Sequence, residues 1–266
     1  MPEGPELKNL CDGLQIFKNE LLTNFNILSG RYKKDQIILD NYNEFNNDLP
    51  CRINSISVKG KLLYFILDNE WVILNTMGMS GRWTKKYQKH CHLELIISDK
   101  KIWFCDPRRF GTIKIFKDLK LLKKKLDSIG PDLLNSKIDE KQFIEIMRKH
   151  QNKNITKVLM NQSIMSGCGN YIKSESLYRA GISPHNNIID LNDQILIKLL
   201  KALQNVMQES YKSKGATIST YYNFNDDKGS FNFKVYGKKI DDHGNEIVKE
   251  KTLDGRTTHW VKNIQI

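Results

Sequence analysis

The first residues of the chain, Met-Pro-Glu-Gly-Pro-Glu, place an unusual chemical group at the N-terminus. Removal of Met1 would leave Pro2 as the first residue, and its nitrogen would be a secondary amine with no other covalent task. Such an amine can attack an aldehyde carbon and form an iminium, as catalytic lysines do with carbonyl substrates. Glu3 would lie beside it as a carboxylate. The alternative interpretation is an ordinary start whose first residues fray.

The charge balance indicates a polyanionic partner. The 266 residues include 42 Lys and Arg against 30 Asp and Glu, which gives a net charge of +12. This surplus favours nucleic acid first and an anionic membrane surface second. No apolar run is as long as a membrane span, and no signal peptide is visible. We therefore expect an intracellular protein that acts at DNA without a membrane partner.

The cysteines indicate neither a zinc site nor a disulfide framework. Their number is odd, they are scattered, and no CxxC pair occurs; they are Cys11, Cys51, Cys91, Cys105 and Cys168. This usage fits a reducing compartment. His90 and His92 flank Cys91, but with no further ligands nearby they make a poor zinc set.

The elements that must position the N-terminus alternate between helix and strand. Leu7, Leu10, Leu14 and Phe17 recur at helical spacing and predict a helix over 6–18. Short β-rich runs follow and suggest a sandwich or barrel; they span residues 61–67, 71–75, 93–97, 102–105 and 112–116.

The second half begins with helices after a basic connector over 117–126. Asp139 and Asn192 are placed to cap two of these helices, and the second carries a long apolar stripe over 192–212. The polar tail then predicts short strands at 231–237, 246–253 and 257–261. Between the helices, Gly167-Cys168-Gly169-Asn170 could present free backbone N–H groups to a phosphate. Most such turns are only turns.

Six motifs in order give the chain a resemblance to a known family. They are MPEGPE at the start, VKGKLLYF (58–65), MGMSG (77–81), DPRRFG (106–111), GCGNYIKSESLYRAGISP (167–184) and GRTTHW (255–260). Together they resemble the formamidopyrimidine-DNA glycosylase / endonuclease VIII family of base-excision repair enzymes. The match extends over nearly the whole chain.

The resemblance implies an α+β multidomain fold. We expect an N-terminal β-sandwich catalytic domain with a flanking helix over 1–118 and a linker over 119–130. A helix–two-turn–helix DNA-binding domain would cover 131–214. A β-hairpin finger and the loop that covers the damaged base, called the lesion loop below, would cover 215–266.

The resemblance also implies a bifunctional DNA glycosylase/AP lyase that works on a base flipped out of the duplex. Pro2 matches the nucleophile and Glu3 the general acid/base, while Glu6 matches an acidic position that supports the terminus. Lys61 matches a lysine that assists β-elimination. Arg256 matches the finger arginine that binds phosphate and is linked to δ-elimination.

Further residues match DNA contacts. Met79, Arg108 and Phe110 match the side chains that fill the hole left by the flipped base, for which a flexible thioether, a guanidinium and an aromatic ring are suited. The alternative is ordinary loop packing with a surface arginine, but two adjacent arginines before Phe110 in a basic chain favour DNA. Arg109, His90 and Asn170 match other DNA or phosphate contacts.

The chain departs from the family pattern in its finger. Many members bind zinc there through four cysteines, but no cysteine follows Cys168. Two ligand positions appear as Val261 and Ile264, so we expect no zinc and no other cofactor, with Tyr236 and Trp260 as candidates to hold the finger by packing. A second departure is Asn152, which stands where many members carry a DNA-contacting lysine. The neighbouring Lys153 could take over that contact.

Three functions compete at this stage. The first is the bifunctional enzyme acting on damaged double-stranded DNA as a monomer. The second is a catalytically retired damage-binding protein on the same scaffold, which would hold if Met1 is retained. The third is a basic RNA-binding protein, which explains the charge but none of the six motifs. The preferred lesion stays open, since different motifs favour oxidised purines and oxidised pyrimidines.

Overall fold

The computed structural model describes residues 2–34, 39–217 and 222–266. It has a mixed α+β architecture with an antiparallel β domain, a helical domain and a small C-terminal hairpin. None of the described helices combines the length and apolar character needed to cross a membrane.

Helix α1 (Gly4–Leu14) starts two residues before the predicted range and continues into a short 3-10 turn over Gln15–Phe17. It starts early because Glu3 is extended and Pro5 occupies the first turn, where a missing N–H costs nothing. Its apolar stripe is buried as predicted: Leu7, Leu10 and Leu14 are at most 5% exposed.

The β domain contains one eight-stranded antiparallel sheet in the order β5-β7-β6-β1-β2-β3-β4-β8. Two short helices, α2 (Arg31–Lys34) and α3 (Tyr42–Asn47), lie between its first two strands. The strands are β1 (Leu21–Ile27), β2 (Cys51–Lys59), β3 (Leu62–Leu67), β4 (Trp71–Thr76), β5 (Arg82–Thr84), β6 (Cys91–Ile97), β7 (Lys100–Cys105) and β8 (Thr112–Lys117).

The sheet folds into the predicted sandwich. Strands β1 and β2 share only two residue pairs, so the sheet divides into two four-stranded halves at this point. Phe65 on β3 contacts Trp83 on β5 edge-on, with ring centroids 6.3 Å apart, although these strands are far apart in sheet order. Both rings belong to the buried core of the domain.

The expectation of no disulfide was wrong: Cys91 and Cys105 are bonded. The pairing of β6 with β7 places these two residues directly opposite each other. The bond therefore depends on strand register, which cysteine spacing alone does not reveal. The other three cysteines are free and buried.

The helical domain follows α4 (Leu119–Asp127), the basic connector, which packs Leu122 onto the outer face of the sheet. Its helices are α5 (Glu140–Arg148), α6 (Ile155–Met160), α7 (Asn170–Ala180) and α8 (Asp193–Lys212). Asp139 and Asn192 cap α5 and α8 as predicted, each accepting a backbone N–H three residues ahead. The apolar stripe of α8 lies in the core of this domain.

The predicted strand over 231–237 does not form. The carboxylate of Glu175, fully buried on α7, accepts the backbone N–H groups of Lys234, Val235 and Tyr236 at 2.8–3.0 Å. These amides are therefore not available to a neighbouring strand. The other two tail strands form as β9 (Val248–Lys251) and β10 (Thr257–Trp260), which pair as a hairpin.

The hairpin has a small apolar core at the two positions, Val261 and Ile264, where the resemblance would place zinc ligands. Val261 is 1% exposed and packs with Val235 and Ile247, and Ile264 lies against the same cluster. The ring of Tyr236 lies 4.8 Å from His259, and that of Trp260 lies 5.2 Å from His185. Apolar and aromatic contacts therefore hold this hairpin.

Candidate active site

Pro2 and Glu3, the first described residues, are buried between the two domains. Pro2 is buried, and Glu3 is 2% exposed. The Glu3 carboxylate accepts the backbone N–H of Tyr171 at 3.0 Å and that of Ile172 at 3.3 Å, both in the first turn of α7. The N–H of Gly4 donates to the carbonyl of Gly167 at 2.9 Å. The turn before α7 therefore holds the start of the chain in place.

The electrostatic setting of Glu3 suits proton transfer near neutral pH. Burial raises the pKa of Glu3 from 4.5 to about 7, with the Lys61 charge opposing this and Glu6 adding to it. The two α7 amides also favour the charged form, but burial outweighs them. A carboxyl with such a pKa can both give and accept a proton at pH 7.

Lys61 approaches the same point from the β2–β3 turn. A Cβ added to Gly169 would lie 2.3 Å from Glu3 Oε1 and 2.5 Å from Lys61 Nζ. A side chain at position 169 would therefore collide with both groups. Gly60 has a φ of +57°, and a Cβ added to it would lie 2.5 Å from the Cβ of Ser166, so only glycine allows the β2–β3 turn to pack this closely against Ser166. The glycines thus permit the meeting of Glu3 and Lys61.

Glu6 lies at the centre of a fully buried hydrogen-bond network. Its carboxylate accepts the backbone N–H of Glu3 at 2.8 Å and the hydroxyl of Tyr171 at 3.0 Å. It also accepts the backbone N–H of Ala216 at 2.9 Å and interacts with Ser210. The structure therefore places Glu6 as a support for the terminus and not on the DNA-facing surface.

Two loops bring Met79, Arg108 and Phe110 together. Asp106 accepts the hydroxyl of Ser80 at 2.5 Å and the backbone N–H of Gly111 at 2.7 Å, so it ties both loops. The Arg108 guanidinium lies 4.9 Å from the Phe110 ring centroid, and Phe110 is 52% exposed. An exposed aromatic ring beside a cation suits contact with bases and phosphates.

Two predicted DNA contacts flank this surface. Arg109 and His90 are exposed, and both have a positive φ, of 57° and 69°. The neighbouring His92 is buried between Ser29 and the Asp106 carbonyl. In the described residues, no group of three or more His, Cys, Asp or Glu is arranged to hold a metal ion.

Asn170 links the site to the hairpin that carries Arg256. Its amide donates to the carbonyl of Thr257 at 2.8 Å. Arg256 is exposed, and none of the described groups forms an ion pair with its guanidinium. Asn152 and Lys153 are also exposed, in the turn before α6.

The predicted lesion loop lies partly outside the described residues, since 218–221 are not among them. Its ends are fixed at two places. Ala216 donates to Glu6, and Phe224 is 1% exposed within the core of the β domain, edge-on to Phe17 at 6.0 Å. Arg82 lies 5.0 Å from the ring of Tyr222.

Sequence reasoning missed four residues that build this region. Tyr171 holds both Glu3 and Glu6, Glu175 fixes the loop before the hairpin, and Lys173 pairs with Asp254. The sequence did carry a signal, which is a predicted helix with polar residues on every face. In the structure its residues Lys173, Ser174, Glu175 and Ser176 are all fully buried. Such a helix requires partners on all sides.

Three family models match successive parts of the chain. The formamidopyrimidine-DNA glycosylase N-terminal domain matches residues 1–113, the H2TH domain of the same glycosylase matches 129–222, and its C-terminal domain matches 223–266. The chain belongs to the formamidopyrimidine-DNA glycosylase family. A formamidopyrimidine-DNA glycosylase of Oceanobacillus iheyensis is 30% identical over 279 residues, which cover 100% of this chain and 98% of that protein.

Solved structures of this family have the same fold. A Lactococcus lactis variant in complex with Fapy-dG-containing DNA has a TM-score of 0.88 and is 27% identical, with 99% of each chain covered. The L. lactis glycosylase bound non-covalently to DNA with an AP site has a TM-score of 0.85 at 27% identity and the same coverage. The predicted family and fold class are thus confirmed.

Proposed function

We propose that this protein is a bifunctional DNA glycosylase/AP lyase of base-excision repair that removes oxidised bases from double-stranded DNA. The observation that carries the proposal is the convergence of Glu3 and Lys61, beside the buried Pro2, on the turn before α7. Family membership supports DNA glycosylase activity, and relatives have been crystallised with Fapy-dG and AP-site DNA.

In the first steps, Pro2 supplies the electron pair that forms the new bond to C1′, once Met1 has been removed. The bond from C1′ to the base breaks, and the base leaves with that electron pair. Glu3 protonates the ring oxygen as the bond from C1′ to this oxygen breaks, and the amine gives up its own proton. The product is a cationic iminium between Pro2 and the opened sugar.

The iminium then withdraws electrons and acidifies the C2′ proton. Loss of this proton expels the 3′ phosphate by β-elimination, for which Lys61 is the proposed proton donor. Loss of a C4′ proton then expels the phosphate on C5′ by δ-elimination, with Arg256 holding phosphate. Meanwhile Met79, Arg108 and Phe110 fill the space that the flipped nucleotide leaves.

Borohydride trapping tests this proposal. Mature protein that begins at Pro2, verified by intact mass, is mixed with duplex DNA bearing an oxidised base or an abasic site, and borohydride is added. A matched variant keeps Pro2 but carries an N-acetylated Gly-Ser extension before it, which turns the Pro2 nitrogen into an amide, leaves no free α-amine and keeps every side chain of the protein unchanged. We expect covalent adduct with the mature protein alone. Equal trapping by the extended variant contradicts the proposal, and binding without trapping by the mature protein indicates a damage-binding protein.

A further inference from the structure

One ion pair differs from all others in the described residues. Lys173 Nζ lies 2.6 Å from Asp254 Oδ2, and the two side chains are 0% and 2% exposed. In every other described ion pair, both side chains are at least 12% exposed. Lys173 belongs to α7, whereas Asp254 lies in the β9–β10 turn beside Arg256, so the pair joins the helical domain to the hairpin.

Asp254 also organises the turn that presents Arg256. Its carboxylate accepts the hydroxyl of Thr252 at 2.5 Å and the backbone N–H of Arg256. The backbone N–H of Thr252 in turn donates to the carbonyl of Arg256 at 3.0 Å. Gly255, with a φ of +78°, completes the turn. Both backbone polar groups of Arg256 are thus fixed relative to Asp254.

Two weaker links hold the same face of α7 to the hairpin. Asn170 donates to the Thr257 carbonyl at 2.8 Å, and the N–H of His259 donates to Ser174 at 3.3 Å. Residues 170, 173 and 174 share one helix face, because positions three and four apart are neighbours. The α7 residues that bind the finger therefore lie within one turn of Tyr171 and Ile172, which bind Glu3.

The chemistry of the pair favours a role in geometry over one in stability. A buried ion pair is often no more stabilising than an apolar pair of similar volume, while loss of one partner leaves an uncompensated charge. Burial lowers the pKa of Lys173 and is opposed by its bond to Asp254. Burial would raise the pKa of Asp254, but the bonds from Lys173 and Thr252 outweigh it, and the pKa is lowered.

We propose that Lys173 and Asp254 are positioning residues that fix Arg256 against the phosphate expelled in δ-elimination and thereby set the ratio of β,δ- to β-elimination products. This inference rests on the proposed lyase function. Arg256 is the group that would touch DNA, and the pair acts through it. Formation of the iminium at an abasic site depends on the Pro2 nitrogen and does not require the pair.

The test measures product ratio and covalent trapping separately in single-turnover reactions on abasic duplex DNA. The variants are Lys173→Met and Asp254→Asn, with Lys173→Arg as the conservative replacement. The control is Arg179→Met, which breaks an exposed ion pair to Glu209 from the same helix. We expect the 3′-phosphate fraction to fall about fivefold or more in the first two variants, since an ångström of misplacement is costly. Their trapping rate should stay within about twofold of wild type.

Lys173→Arg should restore most of the 3′-phosphate fraction, and Arg179→Met should not change it. A folded Lys173→Met or Asp254→Asn variant with the wild-type ratio overturns the inference. So does a parallel fall of trapping and both cleavage steps. If Lys173→Met does not fold, the ratios of Asp254→Asn and Thr252→Val decide in the same way. Wild type that traps but yields only the 3′ unsaturated aldehyde overturns this inference and the δ-elimination step, and leaves base removal and β-elimination standing. Wild type that never traps overturns the proposed function.

Discussion

The carboxylate of Glu3 accepts the backbone N–H of Tyr171 at 3.0 Å, which connects the first helix of the β domain to the first turn of α7. The phenol of Tyr171 donates to Glu6 at 3.0 Å. One residue of the helical domain therefore positions both acidic groups beside the N-terminus. The relative placement of the two domains decides whether the proposed site exists.

Replacement of Glu3 by Gln should separate base removal from strand cleavage. The amide keeps the shape of the side chain but cannot protonate the sugar ring oxygen, and loss of a general acid costs about 10²–10⁴-fold. We expect excision of an oxidised base to fall by that amount, and cleavage of a preformed abasic site to fall much less. Single-turnover kinetics on the two substrates measure this. Equal losses on both would contradict a role for Glu3 in base removal.

Titration of Glu3 should also make the free energy of unfolding depend on pH. Its pKa is about 7 in the folded protein and 4.5 as the reference value. The folded state therefore holds a proton that the unfolded state has lost between these two values, so stability falls as pH rises through this window and levels off above it. The expected loss is about 3 kcal/mol. Urea unfolding of wild type and Glu3→Gln at several pH values tests this, and a wild-type advantage that grows with pH would refute it.

Gly169→Ala should inactivate the enzyme through a collision. The new Cβ would lie 2.2 Å from the Glu3 carboxyl carbon. Because φ at Gly169 is −133°, the backbone itself tolerates alanine, and the effect is steric. We expect trapping to fall about 10²-fold. Cys168→Ala, which shortens the adjacent buried side chain, is the matched control and should trap nearly as wild type does. Normal trapping by Gly169→Ala would mean that Glu3 and Lys61 do not meet at this turn.

The effect of Gly13→Ala on the free energy of unfolding should change sign when the side chain of Phe224 is removed. Phe224 fills space in the β-domain core, and a Cβ on Gly13 would lie 2.8 Å from the Cβ of Phe224. Phe224→Gly, which removes the whole side chain including its Cβ, should cost at least about 3–5 kcal/mol. Gly13→Ala should destabilise the wild type, yet stabilise the Phe224→Gly variant, where helix propensity gains about 0.5–1 kcal/mol. Unfolding free energies of the four proteins decide, and strictly additive effects would contradict the contact.

Chelation should leave activity unchanged. Val235, Ile247 and Val261 form the apolar core of the hairpin, and the described residues offer no group of three or more His, Cys, Asp or Glu that could hold a metal ion. Dialysis against EDTA should alter neither trapping nor the melting temperature, whereas Val261→Asp should weaken the hairpin by placing a charge among apolar groups. Activity lost on chelation and restored by zinc would contradict this account of the finger.

The sequence predicts the elements whose patterns are local. The strands around the β3–β4 hairpin and the helix capped by Asn192 follow from residues that lie close together in the chain. The segment 231–237 has a strand composition, but it does not form a strand because Glu175, remote in sequence, takes three of its amides. The Cys91–Cys105 bond likewise depends on strand register.

The candidate site divides in the same way. The residues for Pro2 chemistry came from motifs and a family resemblance, and the structure brings Glu3, Lys61 and Glu6 to one place. The ion pair of Lys173 with Asp254 joins residues that are 81 positions apart, so neither residue type nor spacing indicates it. Polar contacts that are buried between two domains can be identified only in the folded structure.

The most direct test of the central claim identifies the atom that attacks DNA. The borohydride-trapped complex is treated with nuclease and trypsin, and the peptide that carries the sugar adduct is sequenced by mass spectrometry. The account predicts the adduct on the nitrogen of Pro2, in the peptide that ends at Lys8. An adduct on Lys61, Lys173 or any other lysine, with an unmodified peptide beginning at Pro2, would contradict it.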